Sequence, residues 1–252
     1  MVVIVACGLW LSYYAIDSQH QKQTYETLAK DFLLEEPESS LSLEDNSSGE
    51  SSAAGETMVT LTTAPPRHDL AALQDENSDC VGWLTIPDTT VDYPVVWTPA
   101  DPEHYLRRDF YGNSASGGTP FLDGRNVTQA EGQNLILYGH NMLDGSMFKP
   151  VLQYLIPNFR QTHQDIYLEL NGAQYHYQVI AALETNTHSP VYAYTDLSDS
   201  TEMEHFRSTL LEETGLDAIP QAEGYLTLST CNNQGGNSRV LVVAVLVGKQ
   251  EI

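Results

Sequence analysis

Three residues suited to attack on a carbonyl group occur at the ends of predicted strands. Cys231 ends an apolar stretch that begins at Tyr225, and His140 follows the apolar stretch 134–138. Arg239 opens a further apolar run shortly after the cysteine. A thiol is a nucleophile, an imidazole carries protons near neutral pH, and a guanidinium stabilises developing negative charge. The pattern predicts an acyl-transfer or hydrolysis site if one sheet brings the three side chains together.

Each of these residues also has an ordinary structural interpretation. A free cysteine is usually a small buried apolar residue, but Cys231 borders the polar segment 232–238, where partial exposure favours reactivity. His140 is one of eight histidines, and Arg239 could face solvent or pair with a carboxylate. Asn141 could orient His140, although a plain turn residue is the simpler interpretation.

The other cysteines do not point to a disulfide framework. Cys7 lies in the apolar N-terminal segment, and Cys80 precedes the sequence Val-Gly-Trp at 81–83. We expect Cys80 to fill an apolar position in the core. The remaining histidines show no spacing typical of zinc ligands, so we expect neither a metal nor another cofactor.

The charge balance argues against nucleic acid as a partner. The chain has 252 residues and a formal net charge of −23, with 34 acidic and 11 basic residues. Such a surface repels phosphate backbones. The segment 35–66 holds seven of the 34 acidic residues, contains no Lys or Arg, is rich in Ser and Glu, and is predicted to be a flexible linker.

The N-terminal region is typical of a membrane tether. Residues 1–16 are uncharged and apolar, with aromatic residues towards their end. As a helix they span about 24 Å, short of the roughly 30 Å hydrocarbon core, so we expect an anchor that begins further upstream or is completed by snorkelling. A cleaved signal peptide is the alternative. Residues 17–34 are predicted to form an amphipathic helix, and residues 67–252 a catalytic domain.

Within that domain the pattern predicts many short strands with a few helices between them. Asn171-Gly172 separates two alternating runs and predicts a hairpin, whereas Thr201 and Glu204 suggest a capping box. A mostly antiparallel barrel or sandwich with peripheral helices is therefore expected. The predicted helices are 69–77, 146–155 (ending before Pro157) and 198–213. The predicted strands are 81–96 with a break at 87–88, 121–122, 134–138, 166–170, 173–180, 225–230 and 239–247.

The combined motifs resemble the sortases, the cysteine transpeptidases of Gram-positive surfaces, over about residues 70–247. The resemblance rests on Leu-Ser-Thr-Cys at 228–231 followed by Arg239, and on Tyr-Gly-His-Asn-Met at 138–142. The segments 81–87, 91–96 and 144–148, together with a long helix before the cysteine strand, resemble class B members specifically.

That resemblance implies a fold, a mechanism and partners. The fold would be a closed eight-stranded β-barrel with added helices. Cys231 would be the nucleophile, His140 the general acid and base, and Arg239 the group that stabilises the oxyanion or substrate. We expect the neighbouring Asn141, Ser229 and Thr230 to bind substrate. The enzyme would cleave a C-terminal sorting motif of secreted proteins after Thr through a thioester, and transfer the acyl group to a peptidoglycan amine.

The expected location is the cell membrane, with a single crossing and an extracellular catalytic domain. Three alternatives remain open from the sequence. A sortase of the same fold could polymerise pilins through a pilin lysine. A catalytically silent module could bind surface proteins. A plain cysteine protease would release an acid rather than an amide-linked product.

Overall fold

The computed structural model describes residues 2–34, 65, 67–232 and 236–251, with the side chains of the first helix described from residue 11 onward. The predicted flexible linker 35–66 therefore lies almost entirely outside the described residues.

Eight strands close into a barrel in the order β1-β2-β3-β4-β7-β8-β6-β5. Most neighbours are antiparallel, but β2–β3 and β4–β7 are parallel pairs. The predicted barrel is thus confirmed. The strands are β1 (Cys80–Thr85), β2 (Asp92–Val96), β3 (Phe121–Leu122), β4 (Asn134–Tyr138), β5 (Asp165–Leu170), β6 (Ala173–Asn186), β7 (Tyr225–Cys231) and β8 (Ser238–Glu251).

The hairpin between β5 and β6 follows directly from its turn residues. Asn171 and Gly172 both have positive φ, at 50° and 78°, as a two-residue hairpin turn of the favoured hand requires. The turn sets the register in which Leu170 pairs with Ala173.

The apolar run in β8 is continuous because both faces of this strand are covered. Val242 and Ala244 belong to the cluster that fills the barrel. Leu241 and Val243 point to the opposite face and pack in a second cluster with Phe206. Successive side chains of a strand point to opposite faces of the sheet. Because both faces of β8 are covered by apolar residues, apolar residues occupy successive positions instead of alternating with polar ones.

Phe206 belongs to a long helix that covers this outer face. The α-helices in the described part of the chain are α1 (Val2–Asp31), α2 (Leu70–Glu76), α3 (Pro157–Thr162) and α4 (Ser200–Thr214). The capping box predicted at Thr201 is wrong, because Asp199 is the N-cap of α4 and accepts hydrogen bonds from the N–H groups of Thr201 and Glu202. Gly215 ends α4 with φ of 66°, as predicted.

Two further differences concern prolines. The predicted helix 146–155 is a 3₁₀ segment, Lys149–Leu155, with Pro150 in its first turn. Pro157 does not simply end this region but begins α3, because a proline at the first helical position lacks only an N–H that needs no partner there.

Residues 2–31 form a single helix, α1, which runs through most of the predicted anchor 1–16 and of the predicted amphipathic helix 17–34. Tyr25 and Leu28 in its C-terminal half are buried in the main core cluster. Among the described helices, none combines the length and the apolar character that crossing a membrane requires.

Candidate active site

A cavity of about 460 Å³ opens where β4, β7 and β8 meet, and it is lined by Cys231, His140 and Arg239 together. Cys231 is the last residue of β7, Arg239 lies at the start of β8, and His140 follows the end of β4. The structure therefore brings together the three side chains that the sequence pattern singled out.

The pairing of β7 with β8 places Cys231 directly opposite Arg239. Both residues are partly exposed, so the thiol and the guanidinium are accessible from the cavity. The Nη1 atom of Arg239 donates to the carbonyl oxygens of Gly236 and Ser238, at 3.1 and 2.9 Å. These bonds hold the guanidinium beside its own loop, close to the cysteine strand.

The parallel pairing of β4 with β7 brings the histidine to the cysteine. Tyr138 pairs with Ser229, so the next residues of each chain leave the sheet side by side. Gly139 N–H donates to the Ser229 carbonyl at 3.2 Å, and Thr230 Oγ1 donates to the Gly139 carbonyl at 2.8 Å. Two cross-links thus fix the backbone just before His140 relative to the backbone just before Cys231.

Asn141 adds a third cross-link beyond the sheet. Its Nδ2 donates to the carbonyl oxygen of Cys231 at 3.0 Å. This bond joins the loop after His140 to the end of β7. The geometry favours a positioning role for Asn141 over the plain turn interpretation.

Only glycine fits at position 139. A Cβ atom there would lie 2.5 Å from Cγ of Phe148, whose ring is fully buried. Because Gly139 has no side chain, the backbone directly after β4 passes closely over this ring, and His140 follows at the cavity.

The surroundings of His140 favour its neutral imidazole form. Its Nε2 lies 2.8 Å from the Leu106 carbonyl, which can only accept, so Nε2 carries the proton and Nδ1 has the free lone pair. Burial lowers the pKa of His140 below the ordinary 6.5, and the positive charges of Arg107 and Arg239 lower it further, against the opposing effect of the Leu106 carbonyl. A neutral ring can accept a proton, as a general base must.

Ser229 and Thr230, which we expected to bind substrate, both line the cavity. Each is about 2 % exposed, and their hydroxyl groups make internal hydrogen bonds. Ser229 Oγ is 2.7 Å from the hydroxyl of Tyr192, and Thr230 bonds to Gly139. In this state both hydroxyls support the strand end.

Further cavity residues were not singled out from the sequence. Asp123 accepts from Arg125 Nε at 2.9 Å and from the Tyr138 hydroxyl at 2.8 Å. Although burial acts to raise the pKa of Asp123, these hydrogen bonds hold it below its usual value. The rings of Phe121 and Tyr192 both stack with that of Tyr138. The Asp-Gly-Arg sequence at 123–125 directly follows a strand, and this pattern could have predicted charged residues at the cavity. The sequence around Tyr192 contains no such signal.

Cys80 has no part in this cavity. It is about 1 % exposed in the core, and burial raises the pKa of its thiol to about 12. The expected apolar core position for Cys80 is therefore confirmed. In the described part of the chain, no three His, Cys, Asp or Glu side chains are grouped as metal ligands.

Comparison with known proteins identifies the family. A sortase domain model matches residues 84–247. Sortase B of Listeria monocytogenes is 33 % identical over 188 residues, covering 73 % of this chain and 76 % of that protein. Sortase B of Staphylococcus aureus is 28 % identical over 252 residues, covering 98 % and 93 % of the two chains.

Solved structures agree with this assignment. The Staphylococcus aureus sortase B–substrate complex superposes with a TM-score of 0.63 at 28 % identity, covering 71 % of this chain and 84 % of that chain. These class B matches do not favour a pilin polymerase or a silent binding module. The chain therefore belongs to the sortase family, as a class B cysteine transpeptidase that cleaves sorting motifs and attaches proteins to the cell wall.

Proposed function

We propose that Cys231, His140 and Arg239 carry out this transpeptidation in the cavity that they line. The observation that carries the proposal is the convergence of all three side chains, from three separate strand ends, on one opening. The two hydrogen bonds at Gly139 and the Asn141 bond tie together the backbone segments that carry His140 and Cys231, which supports the proposal.

In the first half-reaction, His140 takes the proton of the Cys231 thiol, and the sulfur attacks the carbonyl carbon of the threonine in the sorting motif. The C–S bond forms, the C–N bond breaks, and His140 passes the same proton to the departing amine. In the second half-reaction, an amine of the peptidoglycan attacks the thioester. A new amide forms, the C–S bond breaks, and His140 takes the proton that the amine loses.

Arg239 stabilises the negative charge on the substrate oxygen in both half-reactions. It stands opposite Cys231 in the β7–β8 pair and lines the same cavity, which supports a role for its guanidinium at a carbonyl bound to the sulfur. A planar guanidinium donates in a fixed geometry, and fixed donors need no reorganisation as charge develops.

The sorting motif lies along the wall formed by Phe121, Tyr138 and Tyr192. Stacked rings give an apolar surface, and Arg125 and Asp123 at the same cavity place charges beside it. Asn141, Ser229 and Thr230 remain candidates for substrate contact. The internal bonds of the two hydroxyls favour contact through neighbouring backbone groups in their case.

We further propose that the uncharged segment 1–16 tethers the enzyme to the cell membrane by a single crossing, with Tyr13 and Tyr14 at its outer interface and the catalytic domain outside. The uncharged composition of this segment supports a tether, as do the exposed side chains of Leu11 and Ile16, which are 58 % and 69 % accessible. Membrane fractionation of cells expressing the full chain or a variant lacking residues 1–16 tests this. Equal recovery of both proteins in the soluble fraction would contradict the tether.

A product assay tests the proposed chemistry. The full chain is incubated with a library of sorting peptides and a mixture of peptidoglycan-type amines and lysine-bearing pilin peptides. The products are identified by mass spectrometry. We expect amide products joined after Thr to peptidoglycan-type amines, and none from Cys231→Ala. Products joined only to lysine side chains, or carboxylic acids alone, would contradict the proposal.

A further inference from the structure

One face of α1 presents polar side chains to the barrel at a spacing of four residues. Asp17, Gln21 and Tyr25 follow one another along this face, since residues four apart lie on the same side of a helix. Gln21 is 4 % exposed and Tyr25 is 2 % exposed. A helix that only packed on a core would place apolar residues here, because a buried polar group needs a hydrogen-bond partner.

The first two of these side chains hold the backbone of the loop 115–119. The Ser116 N–H donates to the Asp17 carboxylate at 3.0 Å, and the Gly117 N–H donates to the Gln21 amide oxygen at 3.1 Å. The Nε2 atom of Gln21 in turn donates to Asp17 at 3.2 Å, so the two side chains are also bonded to each other. The position of this loop therefore depends on α1.

The third side chain, Tyr25, contacts the residue that packs against the support of His140. The Tyr25 hydroxyl donates to the Gly118 carbonyl at 2.8 Å. Gly118 lies directly against the Leu106 carbonyl, because a Cβ atom at position 118 would be 2.6 Å from that oxygen. The same Leu106 oxygen is the acceptor that lies 2.8 Å from Nε2 of His140. Tyr25 is thus separated from the acceptor of the histidine by a single residue.

The loop 115–119 also holds the 3₁₀ turn in which Leu106 lies. The Thr119 N–H donates to the Tyr105 carbonyl at 3.1 Å, and the Thr119 hydroxyl donates to the Arg108 carbonyl at 3.0 Å. Residues on both sides of Leu106 are therefore bonded to this loop. Thr119 is itself in contact with α1, since its Oγ1 atom lies 2.9 Å from the Tyr25 hydroxyl.

A second row of α1 side chains holds the loop that carries the histidine. Tyr14 and Ser18 are again four residues apart. The Tyr14 hydroxyl accepts from the Leu143 N–H at 3.2 Å, and the Ser18 hydroxyl donates to the Asp144 carboxylate. The helix is therefore bonded both to the segment that follows His140 and to the loop that supports the acceptor of its ring.

We propose that α1 positions the histidine for transpeptidation, with Asp17, Gln21 and Tyr25 as the positioning residues. Through the loop 115–119 they place the Leu106 carbonyl, which keeps the proton of the neutral ring on Nε2 and leaves the lone pair of Nδ1 free. The inference rests on the role proposed above for the histidine, and it gives the helix a part in catalysis besides packing.

The expected consequence is a change in the chemical step rather than in substrate binding. Because Nε2 faces the Leu106 carbonyl, Nδ1 is the nitrogen that takes and returns protons. A ring whose acceptor has moved can carry its proton on Nδ1 instead, and the fraction of protein able to act as a general base then falls. The sorting peptide contacts other parts of the cavity, so its binding should change little.

Two variants remove single α1 bonds while keeping most of the side-chain volume, namely Tyr25→Phe and Gln21→Met. Tyr225→Phe is the matched control, because Tyr225 is also fully buried and its hydroxyl also donates to a backbone carbonyl, that of Pro220. Tyr225 belongs to the second core cluster, whereas Tyr25 belongs to the first. The control therefore loses the same kind of bond at a different place.

Three measurements are made on the full chain of each protein. Denaturant titration gives the free energy of unfolding, and the rate of thioester formation is followed against the concentration of a sorting peptide. Nitrogen NMR of the histidine rings, at a pH well above 6.5 where the ring is neutral, gives the tautomer of His140. The spectrum of His140→Gln assigns the signals of this ring.

We expect all three variants to be less stable than the wild type. In Tyr25→Phe and Gln21→Met the maximal rate should fall about tenfold, as for a displacement of the ring well under 1 Å, with the half-saturating peptide concentration unchanged. Their His140 signals should show a mixture of tautomers. Tyr225→Phe should keep the wild-type rate and the single tautomer with the proton on Nε2.

A wild-type rate and a single Nε2–H tautomer in both α1 variants would overturn the inference, because α1 would then only stabilise the fold. An equal loss of rate in Tyr225→Phe would also overturn it, because the effect would then follow stability alone. The tautomer is measured without substrate, so it tests the positioning by itself. Failure of the wild-type protein to form any thioester would instead overturn the proposed function.

Discussion

Replacing Gly139 by alanine would test how the fold positions the histidine. The added Cβ would lie 2.5 Å from Cγ and 2.6 Å from Cδ1 of Phe148, whereas ordinary carbon contacts are about 3.5–4.0 Å. Phe148 is fully buried and has no space to retreat. The backbone at 139 must therefore move, although it is bonded to both Ser229 and Thr230.

We expect overpacking of this kind to lower the free energy of unfolding by about 1–3 kcal/mol. In a chain of this size that corresponds to a fall in Tm of about 2–4 °C for each kcal/mol. Activity should fall more steeply, because a displacement of His140 by about 1 Å costs on the order of 100-fold in rate. Chemical denaturation and the rate of thioester formation with a sorting peptide would measure the two effects.

Gly248→Ala is the matched control. A Cβ at 248 would meet its nearest neighbour, His176 Cβ, at 3.7 Å, which is ordinary contact. We expect this variant to retain stability and activity. Combining Gly139→Ala with Phe148→Leu should recover part of the loss, since the two sites would then be coupled. Full stability and full activity in Gly139→Ala alone would refute the reasoning.

Three other predictions follow from the site and from the docking of α1. Arg239→Lys should lose most of the transpeptidation rate, because the lysine ammonium cannot donate the two parallel hydrogen bonds of a planar guanidinium. A wild-type kcat/KM in this variant would show that Arg239 is only structural. NMR titration of the His140 ring should give a midpoint below 6.5, and Arg107→Gln should raise it by removing a positive charge. Because the folded protein favours the neutral ring, the free energy of unfolding is highest above about pH 6.5 and falls as the pH drops through the lowered pKa of His140. A His140 titration midpoint at or above 6.5 would contradict this. Tyr25→Phe should lower the free energy of unfolding by about 1–3 kcal/mol in denaturant titration, because the buried Gly118 carbonyl loses its 2.8 Å donor, and an unchanged midpoint would argue against that bond.

Much of the barrel could be predicted from the sequence because its signals are local. The Asn171-Gly172 turn fixes a hairpin by its own backbone preference, and the apolar runs that end at Tyr138 and Cys231 mark two strands. The three reactive residues stood out because each lies where such a run ends. Their convergence needed the strand order, which places β4 beside β7 and β7 beside β8.

The features that escaped prediction depend on contacts between distant segments. Tyr192 reaches the cavity from a 3₁₀ turn and bonds to Ser229, although nothing around it in sequence suggests this. The approach of α1 to the histidine loop depends on Tyr14 and Asp17 meeting loops about a hundred residues later. The capping error arose because Asp199 and Thr201 are both good caps, and only the backbone at 199 is extended.

Locating the thioester tests the central claim most directly. The full chain is acylated with a sorting peptide, quenched with acid and digested, and the fragments are sequenced by mass spectrometry. We predict that the acyl group lies on the fragment containing Cys231, that Cys80→Ser still forms it, and that Cys231→Ala does not. An acyl group on the fragment containing Cys80, or turnover by Cys231→Ala, would contradict the account.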